Sequence, residues 1–117
     1  MPENVIVLEG DTFQITSLRV QNYLIRPSYR QECELSYSLS HAATVSIRIV
    51  DPNGNYFRTL IDGEVQVADT VYTLRWDGTD DQGKILSVEG DYTLEITASD
   101  LIGFNTISRS AIIRCRN

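Results

Sequence analysis

The chain has 117 residues, of which 42% are hydrophobic and 22% are charged, and its formal net charge is −6. This length and composition predict one globular domain with a single core and argue against a disordered chain. The negative charge and the scattering of the 10 Lys and Arg residues argue against binding to a phosphate backbone. We therefore expect no nucleic-acid partner.

The N-terminal residues 1–12 are predicted to be an arm or linker that precedes an Ig-like domain over residues 13–117. The apolar run at residues 5–8 is far too short for a signal-peptide core or a membrane span, so we expect no membrane insertion. Two origins stay open. A segment of a larger exported protein would be extracellular or at the cell surface, whereas a chain complete as given would be cytoplasmic.

Short blocks with period-two alternation dominate the rest of the chain. The first block changes phase near Ser17, which predicts a bulge or a strand that crosses between sheets. Asn53-Gly54 predicts a hairpin after the strand at residues 45–49, because this pair readily supplies positive φ. Residues 61–70 are acidic and irregular, and are predicted to run along an edge. The pattern predicts an all-β fold, an immunoglobulin-like or fibronectin type III-like antiparallel β-sandwich of about seven strands.

At the centre of this pattern, a strand ends in the only tryptophan and is followed by an Asp/Gly-rich turn. Trp76 is in phase with Tyr72 and Leu74, so we expect its ring to enter the core and its N–H to find a partner. Asp77 is expected to cap the turn, and Gly78 to supply a backbone conformation closed to other residues. A structural role is the favoured interpretation, and ligand binding is the alternative.

The aspartates of this turn, Asp77, Asp80 and Asp81, form an acidic cluster that suggests calcium. Calcium takes about six to eight oxygen ligands, but the spacing does not match a helix–loop–helix calcium loop. Gln82 stands where that loop requires Gly, and Val88 stands where it requires a bidentate Glu. A solvated turn is favoured, and a looser calcium site is the alternative. We expect no cofactor.

Gly90-Asp91-Tyr92 opens the next strand in the manner of a tyrosine corner, in which the phenol bonds to backbone a few residues upstream. His41 is the only histidine and lies in a predicted turn. The sequence around it has neither a nucleophile elbow nor the paired spacing of a zinc module. We therefore expect Tyr92 and His41 to be structural and the protein not to be an enzyme.

The two cysteines, Cys33 and Cys115, both fall in the inward phase of their strands. In an immunoglobulin topology the second strand begins at the end of the sandwich where the last strand finishes, so the two side chains can meet. Free buried thiols are the favoured state. A disulfide, worth about 4 kcal/mol if unstrained, is the alternative and would indicate an oxidising compartment.

Exposed apolar and aromatic side chains are the remaining candidates for binding. Leu101 and Ile102, beside Phe104, are predicted at the tip of the last hairpin, where polar residues are usual. Apolar residues in such a place indicate a protein partner or self-association. A carbohydrate-binding role would require an exposed aromatic platform. The candidates for that platform are Tyr23, Tyr29 and Tyr56.

Several motifs are specific as a set because of their order and spacing. They are Val45-Ser-Ile-Arg-Ile-Val-Asp-Pro-Asn-Gly54, Phe57-Arg58-Thr59-Leu60, Trp76-Asp77-Gly78-Thr79-Asp80 with Gly83, Gly90-Asp91-Tyr92, and Ala98-Ser99-Asp100 with Gly103. In this order they resemble the FlgD-like immunoglobulin-type domain, named for flagellar hook-capping proteins and recurrent in large bacterial extracellular proteins. The chain departs from that pattern at Ala68-Asp69-Thr70, where the family usually has an Ala-Gly pair. It also has nothing that corresponds to the N-terminal region that anchors a hook-capping protein.

The resemblance implies a sandwich module and does not imply a flagellar role. We expect a non-catalytic structural or protein-interaction module of a bacterial extracellular or appendage-type protein, which acts as a spacer, cap or assembly surface. One alternative is a stand-alone small structural subunit of a multiprotein assembly. Another is a carbohydrate-binding accessory module.

Overall fold

The computed structural model describes residues 13–101 and 105–116. These residues form the strands β1 (Ile15–Gln21), β2 (Leu24–Ile25), β3 (Cys33–Leu39), β4 (Ala43–Val50), β5 (Tyr56–Gln66), β6 (Tyr72–Trp76), β7 (Gly90–Asp100) and β8 (Thr106–Cys115). A short 3-10 turn at Pro27–Tyr29 lies between β2 and β3. Within this part of the chain, no helix has the length and hydropathy needed to cross a membrane. The predicted arm at residues 1–12 lies outside the described residues.

The strands form two sheets. One sheet has three strands in the order β1-β3-β6, and the other has five in the order β2-β8-β7-β4-β5. The strand pairs are antiparallel except for β2 and β8, which are parallel. The expected all-β, immunoglobulin-like sandwich is confirmed, with one very short strand beyond the seven predicted.

Side-chain alternation explains why the two sheets share one core. In β3, β4 and β7 every second residue is buried, because successive side chains of a strand point to opposite faces. The core is mainly aliphatic, and its largest fully buried side chains are Trp76, Tyr37 and Tyr92. The three large aromatics therefore mark the places where the most surface is removed from water.

The predicted phase change in the first strand is a β-bulge. Ser17 has φ 54°, and the register between β1 and β3 shifts between Thr16 and Arg19. After Asn22, with φ 59°, the chain leaves the three-stranded sheet and pairs with β8 as β2. The bulge and the change of sheet, which the sequence offers as alternatives, thus occur one after the other.

The acidic segment after Leu60 is more regular than its composition predicts. β5 continues to Gln66 as the edge strand of the five-stranded sheet, with register shifts along its pairing with β4. The edge position agrees with the prediction. The prediction of an irregular segment is wrong for residues 61–66, because backbone pairing with β4 outweighs a low strand propensity.

The sandwich has two ends that are used as reference points below. The Trp76 end is where β3 begins and β6 and β8 finish, so it contains Cys33, Trp76 and Cys115. The His41 end is where β3 and β5 finish and β4 begins, so it contains His41 and the start of β4 at Ala43.

Candidate functional site

The Trp76 end is built around three aromatic rings. Trp76 is 1% exposed, and its ring centroid lies 5.6 Å from that of Tyr92 and 6.2 Å from that of Phe57. Phe57 meets Tyr92 edge-on at 5.3 Å. The indole Nε1 donates to the carbonyl oxygen of Thr79 at 2.9 Å. The ring therefore fills the core, while its one polar atom bonds to the turn that follows it.

Tyr92 is held by a hydrogen bond within its own segment. Its hydroxyl donates to the carbonyl oxygen of Val88 at 2.7 Å, which is the geometry of a tyrosine corner. Burial raises the pKa of Tyr92 to about 12, and the nearby Cys115 and Asp51 contribute further. The phenol is therefore protonated at neutral pH and serves as a donor.

Glycines let the backbone make close contacts at this end. Gly78 has φ 84°, and a Cβ there would lie 2.3 Å from Cγ of Pro27 in the 3-10 turn. Gly90 has φ 145°, and a Cβ there would lie 3.0 Å from Cγ of Pro52. Gly83 donates its N–H to the carbonyl oxygen of Asp80 at 3.0 Å, and a Cβ at Gly83 would have no atom within 4 Å. Gly78 is thus fixed both by its φ and by contact with a proline distant in sequence.

The three aspartates of the turn each accept hydrogen bonds from nearby backbone. Asp77 Oδ1 accepts from the N–H of Thr79 at 3.2 Å and from its hydroxyl at 2.6 Å. Asp80 Oδ1 accepts two backbone N–H bonds within its turn, both at 2.9 Å. Asp81 Oδ1 accepts the N–H of Thr59 on β5 at 2.8 Å. Among the described residues, no group of three or more His, Cys, Asp or Glu side chains is arranged to hold a metal ion.

Arg58 on β5 joins the same turn to the edge of the five-stranded sheet. Its Nη1 donates to the hydroxyl of Thr79 at 2.6 Å and to the carbonyls of Thr79 and Asp80 at 3.4 and 3.3 Å. Its Nε lies 3.9 Å from Oδ1 of Asp81. No role was assigned to Arg58 from the sequence. Its position in the Phe57–Leu60 motif is the feature of the sequence that could have indicated one.

The two cysteines lie at the Trp76 end in opposite sheets. Cys33 pairs with Trp76 in the three-stranded sheet, and Cys115 pairs with Gly90 in the five-stranded sheet. Both are free thiols and both are 1% exposed. Burial raises the pKa of Cys33 to about 11 and that of Cys115 to about 12. Both side chains are therefore protonated at neutral pH.

A second buried tyrosine, Tyr37, bonds across the sandwich. Its hydroxyl donates to Oε1 of Gln66, which is 1% exposed, and Nε2 of Gln66 donates to Oε2 of Glu64 at 2.9 Å. The ring of Tyr72 stacks on that of Tyr37 at 5.8 Å. Burial raises the pKa of Tyr37 to about 12. Sequence reasoning missed Gln66, because no local pattern distinguishes a buried glutamine from an exposed one.

His41 takes part in a local turn contact. Its Nδ1 lies 2.9 Å from Oγ of Ser40, and its ring is edge-on to that of Phe13 at 6.0 Å. Ser40 Oγ also accepts the N–H of Gln14 at 2.7 Å. This arrangement fastens the segment that leads into β1 to the turn between β3 and β4.

Exposed apolar side chains gather at the His41 end. The exposed fractions are 63% for Val65, 55% for Val67, 68% for Val71 and 57% for Leu101. The first residue of β4 pairs with the last residue of β5 on one side and with the last residue of β7 on the other, so Val65 and Leu101 flank the same strand end. The other two residues of the predicted interaction site, Ile102 and Phe104, lie outside the described residues.

The three tyrosines considered for a carbohydrate platform are well exposed. The exposed fractions are 60% for Tyr23, 67% for Tyr29 and 70% for Tyr56. The guanidinium of Arg26 lies 5.7 Å from the ring centroid of Tyr29, and that of Arg48 lies 5.5 Å from the ring centroid of Tyr56. One face of each of these two rings is therefore in contact with a cation of the same chain.

Comparisons with known proteins agree with an Ig-like sandwich. The family model described as the FlgD Ig-like domain matches residues 28–101. Among solved structures, PorZ, an essential bacterial surface component of the type-IX secretion system of Porphyromonas gingivalis, is similar with a TM-score of 0.53 and 16% sequence identity. The similarity covers 86% of this chain and 12% of the PorZ chain, so this chain spans a small part of PorZ. No curated protein has a matching sequence.

Proposed function

The chain belongs to the FlgD Ig-like domain family, and on that premise we propose that it is a non-catalytic structural and protein-interaction module. It is part of a bacterial extracellular or appendage-type protein, outside the cell or at its surface. There it acts as a spacer, cap or assembly surface. The observation that carries this proposal is the family match over residues 28–101 on an Ig-like sandwich.

The similarity to PorZ supports the idea of a module in a longer protein. PorZ is a bacterial surface component, and the region similar to this chain is 12% of its length. A domain of this fold can therefore occur as one unit among others in a surface protein. Because fold alone does not fix function, the proposal extends only to the class of role and not to secretion.

The use of polar side chains at the Trp76 end supports a role without catalysis. The carboxylates of Asp77, Asp80 and Asp81 accept hydrogen bonds from backbone or hydroxyl groups of the chain itself. The guanidinium of Arg58 and the hydroxyl of Tyr92 are likewise bonded to backbone carbonyls of this end. Groups that could do acid–base chemistry are thus engaged in holding the turns.

The interaction surface in this proposal is the His41 end. Val65, Val67, Val71 and Leu101 are more than half exposed there, and apolar side chains at the end of a sandwich favour contact with another protein. We include Ile102 and Phe104 in the proposed surface on the basis of the sequence. Of the three residues predicted to form this site, Leu101 is the one that the structure describes, and it is 57% exposed.

The test is light scattering of the 117-residue chain over a wide range of concentrations. An assembly surface predicts an average mass that rises with concentration. Val67→Lys and Val71→Lys should abolish that rise, because each places a charge among the exposed apolar residues of the His41 end. Val88→Lys is the matched control, since Val88 is 49% exposed at the Trp76 end, and it should associate like the unsubstituted chain. A strictly monomeric chain would contradict the assembly role.

The first alternative, a stand-alone structural subunit of a multiprotein assembly, differs from a module in the length of its gene product. An open reading frame that stops directly after Asn117 would favour the subunit, and one that continues or begins far upstream would favour the module. The module and the stand-alone subunit would use the same interaction surface, so the light-scattering experiment applies to each.

The second alternative is a carbohydrate-binding accessory module, and the observation in its favour is the exposure of Tyr23, Tyr29 and Tyr56. Sugar rings stack on free aromatic faces, and cations occupy one face of Tyr29 and one of Tyr56. A glycan array distinguishes carbohydrate binding from protein contact. Binding that is lost in Tyr29→Ala or Tyr56→Ala would support it, and silence across the array would remove it.

A further inference from the structure

We propose that Cys33 and Cys115 are a built-in cross-linking site, which closes as a disulfide between the two sheets when the chain folds in an oxidising environment. The bond joins the first residue of β3 to the last residue of β8. This inference depends on strand register and burial, and it does not require the proposed function to be right.

Strand register brings the two cysteines to one end of the core from opposite sheets. Cys33 is the partner of Trp76, the last residue of β6, and Cys115 is the partner of Gly90, the first residue of β7. The rings of Trp76 and Tyr92, which come from the strands beside the two cysteines, are in contact at 5.6 Å. The two cysteines therefore border the same aromatic cluster.

Both thiols face the shared core. Each is 1% exposed, and both belong to one cluster of buried residues. Electrostatic interaction with Cys33 also contributes to the raised pKa of Cys115. The Cys115 thiol makes only a long contact of 3.9 Å with the carbonyl oxygen of Ile113. Rotation of the Cys115 side chain toward Cys33 gives up little hydrogen-bond energy.

The position of both cysteines at strand ends limits how much of each sheet closure has to change. Facing sheets pack about 10 Å apart, whereas a disulfide needs Cα atoms within about 7 Å. Cys33 is the first residue of β3 and Cys115 is the last residue of β8. Closure changes the pairing of Cys33 with Trp76 and of Cys115 with Gly90 and Ile25, and it leaves the pairs in the middle of either sheet in place.

Burial decides when the bond can form. Thiol–disulfide exchange requires a thiolate that can reach the reagent. In the folded chain both thiols are enclosed and their pKa values are raised to about 11 and about 12. In the unfolded chain both are accessible and have ordinary pKa values. The cross-link therefore forms during folding and is protected afterwards.

Glutathione disulfide serves as the oxidant in this scheme. One cysteine thiolate attacks a sulfur of the reagent, forms a mixed disulfide and releases one glutathione thiolate. The second cysteine attacks the protein-bound sulfur of the mixed disulfide, forms the Cys33–Cys115 bond and releases the second glutathione. The protein loses two electrons and two protons, and one glutathione disulfide becomes two glutathione thiols.

The test is refolding of the full chain from urea in a mixture of reduced and oxidised glutathione, followed by alkylation and mass spectrometry. The expected product is a monomer that is lighter by two hydrogens and takes up no alkylating reagent until it is reduced. Two alkylated thiols, a stable glutathione adduct or a disulfide-linked dimer as the main product would overturn the proposal.

Three controls separate a native cross-link from a chance one. The folded, reduced chain in the same buffer without urea should keep both thiols long after refolding is complete, and rapid oxidation would contradict closure during folding. The oxidised chain should unfold at a higher urea concentration than the reduced chain, and an equal or lower midpoint would mean that the bond does not fit the native fold. The double variant Cys33→Ser with Cys115→Ser should show the same midpoint with and without glutathione. The mass measurement uses the unsubstituted chain, so it decides the question even if this variant does not fold.

Discussion

The two buried tyrosines are secured in different ways at the two ends of the sandwich. Tyr92 donates to Val88, four positions upstream in the same segment. Tyr37 donates to Gln66, 29 positions away, and that bond joins β3 of one sheet to β5 of the other. The buried tyrosine at the Trp76 end is therefore held by a bond local in sequence, while the buried tyrosine nearer the His41 end depends on a bond between distant strands.

The surroundings of the two acceptors make this difference energetically important. Val88 is 49% exposed, and the bond that it accepts from Tyr92 is only partly buried. Gln66 is 1% exposed, so its amide oxygen would be left buried without a partner. A buried polar group without a hydrogen bond costs more free energy than the bond itself contributes. The comparison predicts that equal chemical changes have unequal effects at the two ends.

Alkaline pH ionises both tyrosines and should lower the free energy of unfolding more than any of the substitutions below. Their pKa values in the folded protein are about 12, above the usual value of about 10. A raised folded-state pKa means that the stability contributed by the two phenols is fully present below pH ~10 and is lost as the pH rises through ~12. The two buried thiols have pKa values raised from 9.0, so their contribution falls from pH 9.0 upward, and the double variant Cys33→Ser with Cys115→Ser isolates the effect of the phenols. The two phenols together account for a loss on the order of 5 kcal/mol of unfolding free energy. Urea midpoints measured against pH, with tyrosinate absorbance, check this. Full ionisation near pH ~10 with the fold intact would contradict it.

Trp76→Ala removes the centre of the Trp76 end and should cost about 3–5 kcal/mol of unfolding free energy, as for other large core aromatics. The loss has two sources, the cavity between Tyr92 and Phe57 and the missing bond to Thr79. Urea unfolding followed by circular dichroism measures it. Tyr23→Ala is the control, because Tyr23 is 60% exposed and lies between β1 and β2, and it should change stability by less than about 0.5 kcal/mol. An unchanged midpoint for Trp76→Ala would show that the packing described for this end does not hold it together.

Gly78→Ala tests whether the turn at the Trp76 end is fixed by more than its backbone conformation. Gly54→Ala is the matched control, since Gly54 has φ 88° and an added Cβ there would have no atom within 4 Å, whereas Gly78 has φ 84° and Pro27 at 2.3 Å. We expect a cost of about 1–2 kcal/mol at Gly54 from φ alone, and about 2–4 kcal/mol at Gly78 because overpacking adds to it. Equal losses in urea unfolding would mean that Pro27 moves away freely.

Tyr37→Phe and Tyr92→Phe compare the two ends most directly. They have the smallest expected effects on the free energy of unfolding. Tyr37→Phe should cost about 1–3 kcal/mol, because it leaves the amide oxygen of Gln66 buried without a donor. Tyr92→Phe should cost about 0.5–1.5 kcal/mol, because the hydrogen bond that it removes is only partly buried. Chemical denaturation of both variants under one set of conditions measures the difference. A larger loss at Tyr92 would reverse the comparison.

Much of the fold could be predicted from the chain because its signals are local. Alternation predicted the strands, the phase change near Ser17 predicted the irregularity in β1, and Asn53-Gly54 predicted the hairpin whose Asp51 N–H bonds to the carbonyl of Asn55 at 2.8 Å. Each of these signals acts over a few residues, where sterics and side-chain alternation decide the conformation. The family resemblance adds to them and is confirmed by the match over residues 28–101.

The parts of the candidate sites that could not be predicted depend on residues far apart in the chain. The regular course of β5 beyond Leu60 depends on its pairing with β4. The exposure of Val65 and Val67, two apolar residues beside the buried Gln66, depends on which face of the edge strand meets the core. Composition alone would have placed the valines inside and the glutamine outside.

The sequence by itself thus determined the sandwich class, the position of Trp76 in the inward phase of its strand and the turn chemistry of Asp77-Gly78, because these depend on near neighbours in the chain. Tertiary structure alone decided that Pro27 lies against Gly78, that Arg58 bonds to the turn and that Gln66 receives the hydroxyl of Tyr37. The physical reason is that a polar or apolar side chain is stable in a given place only if its partners are there. Those partners come from strands that only the folded chain brings together.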